Sequence, residues 1–201
     1  MTQLSTDAIS KAIDAFECDH RNRYEILFST HELRGFRPAA VMIPLIVTDG
    51  DWHMVLTQRS EIVEQHRGQV AFPGGAKEAL DQNLQWTALR EMQEEIGVDP
   101  NDVEVLGHLC DMPIITKYMV RIFVGQISWP YPLVISEDEV ESVFTLPMVW
   151  LADPKHHTIR YRSFAGREFP VIYFELYDGY QLWGASAEMT LALLSALEPI
   201  L

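Results

Sequence analysis

The amino-acid sequence predicts a single mixed α+β domain. Helical and strand-like hydrophobic patterns follow one another along the chain, and no internal repeat, low-complexity tract or clear linker interrupts them. The length of 201 residues is in the usual range for one domain, and 48% hydrophobic with 22% charged residues is an ordinary globular composition. A chain of this kind can bury a sizeable core.

The elements before residue 97 are predicted from hydrophobic periodicity and from turn residues. Apolar residues at helical spacing predict a short amphipathic helix at the N-terminus, and a polar, loop-like stretch follows it to Pro38. Apolar runs on both sides of an Asp-Gly turn predict a hairpin. In chain order the elements are a helix opening at Ser5 or Thr6, strands at 39–49 and 53–57 joined by Asp49-Gly50-Asp51, a strand at 69–72 ended by Pro73-Gly74-Gly75, and a helix at 81–96 stopped at Gly97.

The second half of the chain is predicted in the same way. Short apolar runs indicate strands, and the pair Ser136 and Glu139 fits a capping box at the start of a short helix. The predicted elements are strands at 103–109, 120–127, 133–135 and 171–177, the short helix near Ser136, and a closing helix at 185–197.

The charge of the chain excludes several classes of partner. Twenty-nine acidic residues against 15 Lys and Arg give a formal net charge of −14. A protein this acidic repels nucleic acids and anionic membrane surfaces, although local cations can still admit a small anionic substrate. The two cysteines, Cys18 and Cys110, cannot form a disulfide framework. With no secretory signal or membrane-length apolar run, we expect a soluble cytoplasmic protein.

The densest cluster of charge lies on the helix predicted at 81–96. Glu91, Glu94 and Glu95 share one face of that helix, where three carboxylates repel one another. Gathered oxygen ligands of this kind suit Mg²⁺ or Mn²⁺, and Arg90 can pair with Glu94 one turn away. From the helix alone, a solvated acidic face is an equally good interpretation.

The sequence before the helix favours the metal interpretation. Glu78, Asp81 and Arg90 follow the Pro73-Gly74-Gly75 turn, whose glycines allow the backbone to approach a ligand closely. Turn, acidic spacer and helix together resemble the Nudix hydrolase box, in outline Gly, five residues, Glu, seven residues, and Arg-Glu-x-x-Glu-Glu-x-Gly. Here Asp81 replaces the Glu, and eight residues separate it from Arg90.

These departures, and a second signature, resemble the coenzyme A pyrophosphatase branch of the Nudix superfamily. The signature is Leu56-Thr57-Gln58-Arg59-Ser60 followed by His66-Arg67-Gly68-Gln69-Val70-Ala71-Phe72-Pro73-Gly74-Gly75, and stretches at 138–147 and 182–187 agree as well. The chain departs from the branch at Glu64 and Ile122. The resemblance implies an α/β/α sandwich with a mixed sheet over residues 36–198. Residues 1–35 lie outside the resemblance and are predicted to be an N-terminal helical extension.

The resemblance also implies an activity and a set of site residues. The activity is metal-dependent hydrolysis of coenzyme A or acyl-coenzyme A to 3′,5′-ADP and a 4′-phosphopantetheine product. The implied metal ligands for Mg²⁺ or Mn²⁺ are Glu91, Glu95, Glu94 and the carbonyl of Gly75, with Arg90 orienting the carboxylates and Glu78 and Asp81 holding further metal through water. The general base is Glu94 or Glu139, with Glu139 preferred of the two, and a capping-box role for Glu139 is an equally good interpretation that does not exclude the first. The phosphate-binding residues are Arg59, His66 and Lys77.

Other functions stay open at this point. The first alternative is another Nudix activity, on ADP-ribose, NADH or a different nucleoside diphosphate derivative. The second is a non-catalytic nucleotide-sensing module. The intact carboxylate cluster argues against a sensor, which has no need of it. The expected partner is a small nucleotide diphosphate, and by analogy with other Nudix proteins the chain is also a candidate homodimer.

Overall fold

A computed structural model describes residues 4–17, 27–60, 68–164 and 166–200. Within these ranges, no helix is both long enough and apolar enough to cross a membrane. The main sheet has seven strands: β1 (Arg37–Thr48), β2 (Asp51–Arg59), β3 (Val70–Ala71), β4 (Gly74–Ala76), β5 (Glu104–Pro113), β6 (Tyr118–Gln126) and β7 (Val140–Pro147). They run in the order β3-β2-β1-β6-β5, with β4 paired to β1 and β7 to β2. The sheet is mixed, because β1 pairs with β6 in parallel and with β2 and β4 antiparallel.

The central strand β1 is buried on both faces of the sheet. Ala40, Met42 and Ile46 point to one face, and Ile43 and Leu45 to the other, with none of them exposed. Since alternate residues of a strand face opposite sides, a strand covered on both sides needs a continuous apolar run. This is why residues 39–47 are almost wholly apolar.

Helices and a second, smaller sheet cover the two faces. The helices are α1 (Thr6–Ala15), α2 (Thr30–Leu33), α3 (Leu84–Ile96), α4 (Met148–Ala152) and α5 (Gly184–Leu197). The second sheet, in the order β10-β9-β8, consists of β8 (His157–Phe164), β9 (Arg167–Tyr177) and β10 (Tyr180–Trp183). Helix α3 covers one face of the main sheet, and α1, α5 and the second sheet share the core on the other. The predicted single α+β domain is confirmed.

Most of the predicted elements are present, with shifted ends. Helix α1 begins after Ser5, whose side chain accepts from the backbone N–H of Ala8, and it buries Ile9 and Ile13. The hairpin turns at Asp49-Gly50, where both residues have positive φ, as expected for a tight turn between twisted strands. The predicted strand at 69–72 is shorter, and the glycines that were expected to end it form β4.

Two predicted elements are wrong. Residues 133–135 are not a strand, and the segment after Ser136 is a turn that leads into β7 instead of a helix. The reason is a tertiary contact, because the backbone N–H groups of Val134 and Ser136 donate to the carbonyls of Ile96 and Glu95 at the end of α3. The segment caps that helix, so its own hydrogen bonds are not available for a strand or helix. Strands β7, β8 and β10 were not predicted.

Candidate active site

Helix α3 positions the acidic cluster, and its boundaries are set by local residues. Asn83 caps the start by accepting from the backbone N–H of Trp86 at 2.9 Å, and Gly97 ends the helix in the left-handed region with φ of 75°. Ala88, Met92 and Ile96 pack against β1. The carboxylates of Glu91 and Glu95 therefore lie along the flank of the helix that meets Gly74 and Gly75 of β4.

Arg90 connects three carboxylates. Its Nε lies 3.0 Å from Oδ1 of Asp81, its Nη2 2.9 Å from Oε1 of Glu91, and its Nη1 2.7 Å from Oε2 of Glu94. Nη2 also donates to the carbonyl of Ala76 in β4 at 3.3 Å. The pairing of Arg90 with Glu94 predicted from their spacing is present, and Arg90 also ties the helix to the preceding loop.

Asp81 is the buried anchor of Arg90. Its Oδ2 accepts from the hydroxyl of Thr87 and from the backbone N–H of Glu78, both at 2.9 Å, and the guanidinium of Arg90 contacts both oxygens. These hydrogen bonds, those from Arg90 first, lower the pKa of Asp81 to about 2. The family resemblance implied that Asp81 holds metal through water. The structure instead directs both of its oxygens to internal donors.

Glu95 is a buried carboxylate with an unused oxygen. The residue is 2% exposed, its Oε1 lies 3.5 Å from Nη1 of Arg59, and its Oε2 has no hydrogen-bond partner among the described residues. Burial raises the pKa of Glu95 to about 8, and the nearby charges of Glu91 and Glu139 add to the effect, while Arg59 opposes it. The side chain lacks a positive partner strong enough to offset its burial.

Glu91 lies directly against the backbone of Gly75. A β-carbon added at Gly75 would be 2.6 Å from Oε2 of Glu91, so only glycine allows this approach. Burial raises the pKa of Glu91 as well, although Arg90 partly offsets it. Two partly or fully buried carboxylates and a glycine backbone thus converge at one end of α3.

The donor set fits a hard divalent cation. All of its groups are oxygens, and the unpartnered Oε2 of Glu95 and the raised pKa values of two neighbouring carboxylates indicate a shortage of positive charge. Within the described part of the chain, no three His, Cys, Asp or Glu side chains form a ready ligand cluster. The carboxylates are held apart because Arg90 binds Glu91 and Glu94, while Glu95 faces Arg59.

The other predicted site residues differ in position. Lys77 donates from Nζ to the carbonyl of Asp81 at 2.7 Å, so it holds the loop before α3. Glu139 lies in the turn before β7, where its carbonyl accepts from the backbone N–H of Ser60, and its charge acts on both Glu91 and Glu95. The predicted capping role of Glu139 is wrong, since no helix begins there. His66 lies outside the described residues.

A cavity of about 530 Å³ adjoins the acidic cluster at Arg59 and Gly74. Its wall is mostly apolar and comes from β3, β4, the β8–β9 hairpin and the start of α5. Arg162 of β8 also lines this cavity and was not predicted from the sequence, because β8 itself was not predicted. The half-buried Trp183 also lines the cavity.

Comparison with known proteins decides the family. The family model of the NUDIX domain matches residues 35–166. The chain belongs to the Nudix family. Proteins described as uncharacterized Nudix hydrolase NudL, from Salmonella paratyphi B and Salmonella newport, are each 38% identical over 162 residues, covering 80% of this chain and 82% of the relative.

Solved Nudix structures share the fold. The Nudix hydrolase RenU of M. Smegmatis aligns with a TM-score of 0.51 at 15% identity, over 82% of this chain and 88% of that one. A MutT/nudix family protein of Enterococcus faecalis aligns with a TM-score of 0.50 at 15% identity, over 92% of this chain and 75% of that one. The family match and the relatives described as Nudix hydrolases make the protein a Nudix pyrophosphatase, a hydrolase of phosphoric anhydride bonds. Nudix hydrolases generally use divalent metal cations.

Proposed function

We propose that this Nudix hydrolase cleaves the diphosphate bond of coenzyme A or acyl-coenzyme A, releasing 3′,5′-ADP and the corresponding 4′-phosphopantetheine. The observation that carries the proposal is the position of the second signature on the wall of the cavity. Arg59, Gln69, Phe72 and Gly74 of that signature all line the cavity beside the acidic end of α3. The stretch that resembles the coenzyme A branch is therefore the stretch that a substrate at the carboxylates would touch.

Arg59 is the proposed contact for the diphosphate. Its side chain is 27% exposed, and it lies between the buried Glu95 and the cavity. In a chain of net charge −14, a diphosphate requires local cationic donors. Lys77 and His66 stay predicted contacts, Lys77 from its position in the loop and His66 from the signature alone.

Glu91, Glu95, Glu94 and the Gly75 carbonyl are the proposed ligands of Mg²⁺ or Mn²⁺. When bound, such a cation supplies neutralising charge to the diphosphate oxygens and makes water more acidic. Arg90 holds Glu91 and Glu94 in place and is itself held by Asp81, so the orientation of the carboxylates depends on one internal chain of ion pairs.

Glu139 is the proposed general base. It accepts a proton from water as the water oxygen attacks phosphorus and the bridging P–O bond breaks, leaving two phosphate monoesters. Glu94, the other candidate, is engaged by Arg90 at 2.7 Å and its side chain is 55% exposed. The charge of Glu139 acts on both Glu91 and Glu95, and among the described residues Glu139 forms no ion pair with Arg90, which favours it as the base.

Product analysis tests the substrate. The purified protein with Mg²⁺ or Mn²⁺ is incubated separately with coenzyme A, acetyl-coenzyme A, ADP-ribose and NADH, and the products are separated by chromatography. We expect 3′,5′-ADP from the coenzyme A substrates. Preferential cleavage of ADP-ribose or NADH would retain the Nudix chemistry and contradict the substrate. Tight nucleotide binding without turnover of any of the four would support a sensing module instead.

The location and the assembly of the protein are two further proposals. A cytoplasmic location is proposed from the low cysteine content, and a homodimeric assembly by analogy with other Nudix proteins. Size-exclusion chromatography with light scattering measures the second directly, and a monomer at micromolar concentration would contradict it.

A further inference from the structure

Arg162 lines the wall of the cavity and is anchored there through its Nε. Its Nε donates to the hydroxyl of Tyr173 at 3.0 Å, and its guanidinium carbon lies 5.7 Å from the centre of the Tyr173 ring. Tyr173 is 4% exposed and stacks on Trp183, with ring centres 5.4 Å apart and an angle of 5° between the planes. A buried tyrosine, stacked on the half-buried Trp183, therefore orients a cationic side chain that borders the cavity.

The guanidinium of Arg162 has further N–H donors that can bind a ligand. Arginine carries five N–H groups, and the bond to Tyr173 uses the one on Nε. No carboxylate pairs with Arg162 among the residues that the structure describes. The two terminal nitrogens therefore form a fork that matches the oxygens of a phosphate group.

Arg162 and Arg59 border the same cavity from different sheets. Arg59 ends β2 of the main sheet beside Glu95, whereas Arg162 belongs to β8 of the second sheet. The wall also contains Phe72, Phe169 and the carboxylate of Glu188, so the cavity is largely apolar with two arginines at its border. A ligand that fills it and reaches both arginines would carry two separate anionic groups.

We propose that Arg162 binds a phosphate monoester on the part of the substrate that is not cleaved, and so determines specificity. The inference rests on the proposed function, in which coenzyme A carries a 3′-phosphate apart from the diphosphate. Arg59 contacts the diphosphate beside the carboxylates, and Arg162 contacts the second phosphate. A nucleoside diphosphate derivative that lacks the second phosphate cannot form this contact with the terminal nitrogens of Arg162.

Equilibrium binding without metal tests the contact independently of turnover. Calorimetry compares 3′,5′-ADP with AMP, which lacks the 3′-phosphate, on the wild type, Arg162→Met and Arg160→Met. Arg160 is the matched control, because its guanidinium also contacts the Tyr173 ring, at 4.6 Å, but does not line the cavity. We expect the wild type and Arg160→Met to prefer 3′,5′-ADP by about tenfold or more, and Arg162→Met to lose that preference. Arg162→Lys should recover part of it.

Equal affinity of the wild type for the two nucleotides, or binding of neither, would overturn the proposal. So would an equal loss of preference in Arg160→Met. Turnover then separates the two proposals, by comparing coenzyme A with 3′-dephospho-coenzyme A. If Arg162 acts as proposed, Arg162→Met raises KM for coenzyme A alone. Cleavage of both substrates with the same KM by the wild type would overturn the role of Arg162 and leave the diphosphatase activity standing, whereas no cleavage of either would overturn the proposed function.

Discussion

A buried carboxylate such as Glu95 works against the stability of the fold that contains it. Removing a charge from water costs several kcal/mol unless partners replace the water, and Glu95 has one guanidinium at 3.5 Å and an oxygen without a partner. The same lack of partners raises the pKa of Glu95 to about 8, and burial is the main cause. Carboxylates with a strongly raised pKa are typical of functional sites.

Glu95→Gln separates function from stability. We expect turnover to fall by about two orders of magnitude or more if Glu95 is a metal ligand, since an amide is a much weaker donor to a hard cation. Without metal, the melting temperature should equal or exceed that of the wild type, because a neutral amide is easier to bury. Activity assays and thermal unfolding with and without Mg²⁺ measure both effects.

The exposed Glu104→Gln is the control for that substitution, and it should change neither quantity. Near-normal turnover by Glu95→Gln would remove Glu95 from the proposed ligand set.

Gly75→Ala tests the close approach of backbone and carboxylate. The new methyl group would lie 2.6 Å from Oε2 of Glu91, and the flexible end of that side chain must move away. We expect little change in stability but about a tenfold loss of metal affinity, since small displacements of ligating groups have effects of this size. Metal titration measures the loss.

Gly35→Ala is the matched control, because the nearest atom to its new methyl group would be 3.4 Å away. Unchanged metal affinity in Gly75→Ala would contradict a role for this approach in the site.

At the scale of elements, a single ion-pair chain connects α3 to the loop before it. Arg90 on α3 joins Asp81 in the loop and the Ala76 carbonyl in β4, while Lys77 fastens the same loop through the Asp81 carbonyl. Arg90 therefore aligns Glu91 and Glu94 with β4 as well as pairing with them. The loop between β4 and α3 acts as a brace for the acidic cluster.

Asp81→Asn should destabilise the fold, and by an amount that depends on pH. The side chain is 1% exposed, and the partly buried Arg90 guanidinium would keep Glu91 and Glu94 but lose its buried partner, at a cost of roughly 3 kcal/mol. The lowered pKa of Asp81 means that the ionised carboxylate stabilises the fold above its ordinary pKa of 3.8 and loses this effect as the pH falls towards about 2. Urea unfolding at several pH values should show a constant difference from wild type above about pH 5, which shrinks in acid.

Asp111→Asn provides the comparison for Asp81→Asn. Asp111 also pairs with an arginine, Arg121 at 2.7 Å, but the two side chains are both 37% exposed. An exposed pair of this kind contributes at most about 1 kcal/mol. An equal cost for the two substitutions would argue against the brace.

At the scale of the whole molecule, the N-terminal helix contributes to the main hydrophobic core. Ile9 and Ile13 of α1 are at most 1% exposed and pack in the same cluster as Ile43 and Leu45 of β1. The Ser10 hydroxyl also donates to the carbonyl of Leu106 in β5 at 2.6 Å. The division into an N-terminal extension at 1–35 and a Nudix domain at 36–198 stays a prediction. In the structure, α1 packs into the same hydrophobic core as the main sheet.

Ile13→Ala should cost about 2–5 kcal/mol of unfolding free energy, the range for large-to-small changes in a packed core. Ile159→Ala, at a position that is 52% exposed on β8, should cost little. Urea denaturation of both variants measures the difference. A small effect of Ile13→Ala would show that α1 is not part of the cooperative core.

Local patterns in the sequence were enough to predict the parts of the protein that local physics controls. Helical periodicity predicted that Glu91, Glu94 and Glu95 share a face of α3, and Asn83 and Gly97 define the ends of that helix within a few residues of the prediction. The continuous apolar run in β1 predicted a buried strand. The spacing of the motif from Gly75 to Gly97 was sufficient to indicate the family before any fold was known.

Only the tertiary structure decided what lies opposite the acidic helix. Arg59, Arg162 and Trp183 are far apart in the sequence, and they line one cavity because β2, the β8–β9 hairpin and the start of α5 meet there. The capping of α3 by Val134 and Ser136 likewise replaced a predicted strand and helix with a turn that brings Glu139 towards Glu91 and Glu95. Periodicity encodes which face of an element is apolar. It does not encode which distant element will cover that face, because this depends on how the whole chain packs.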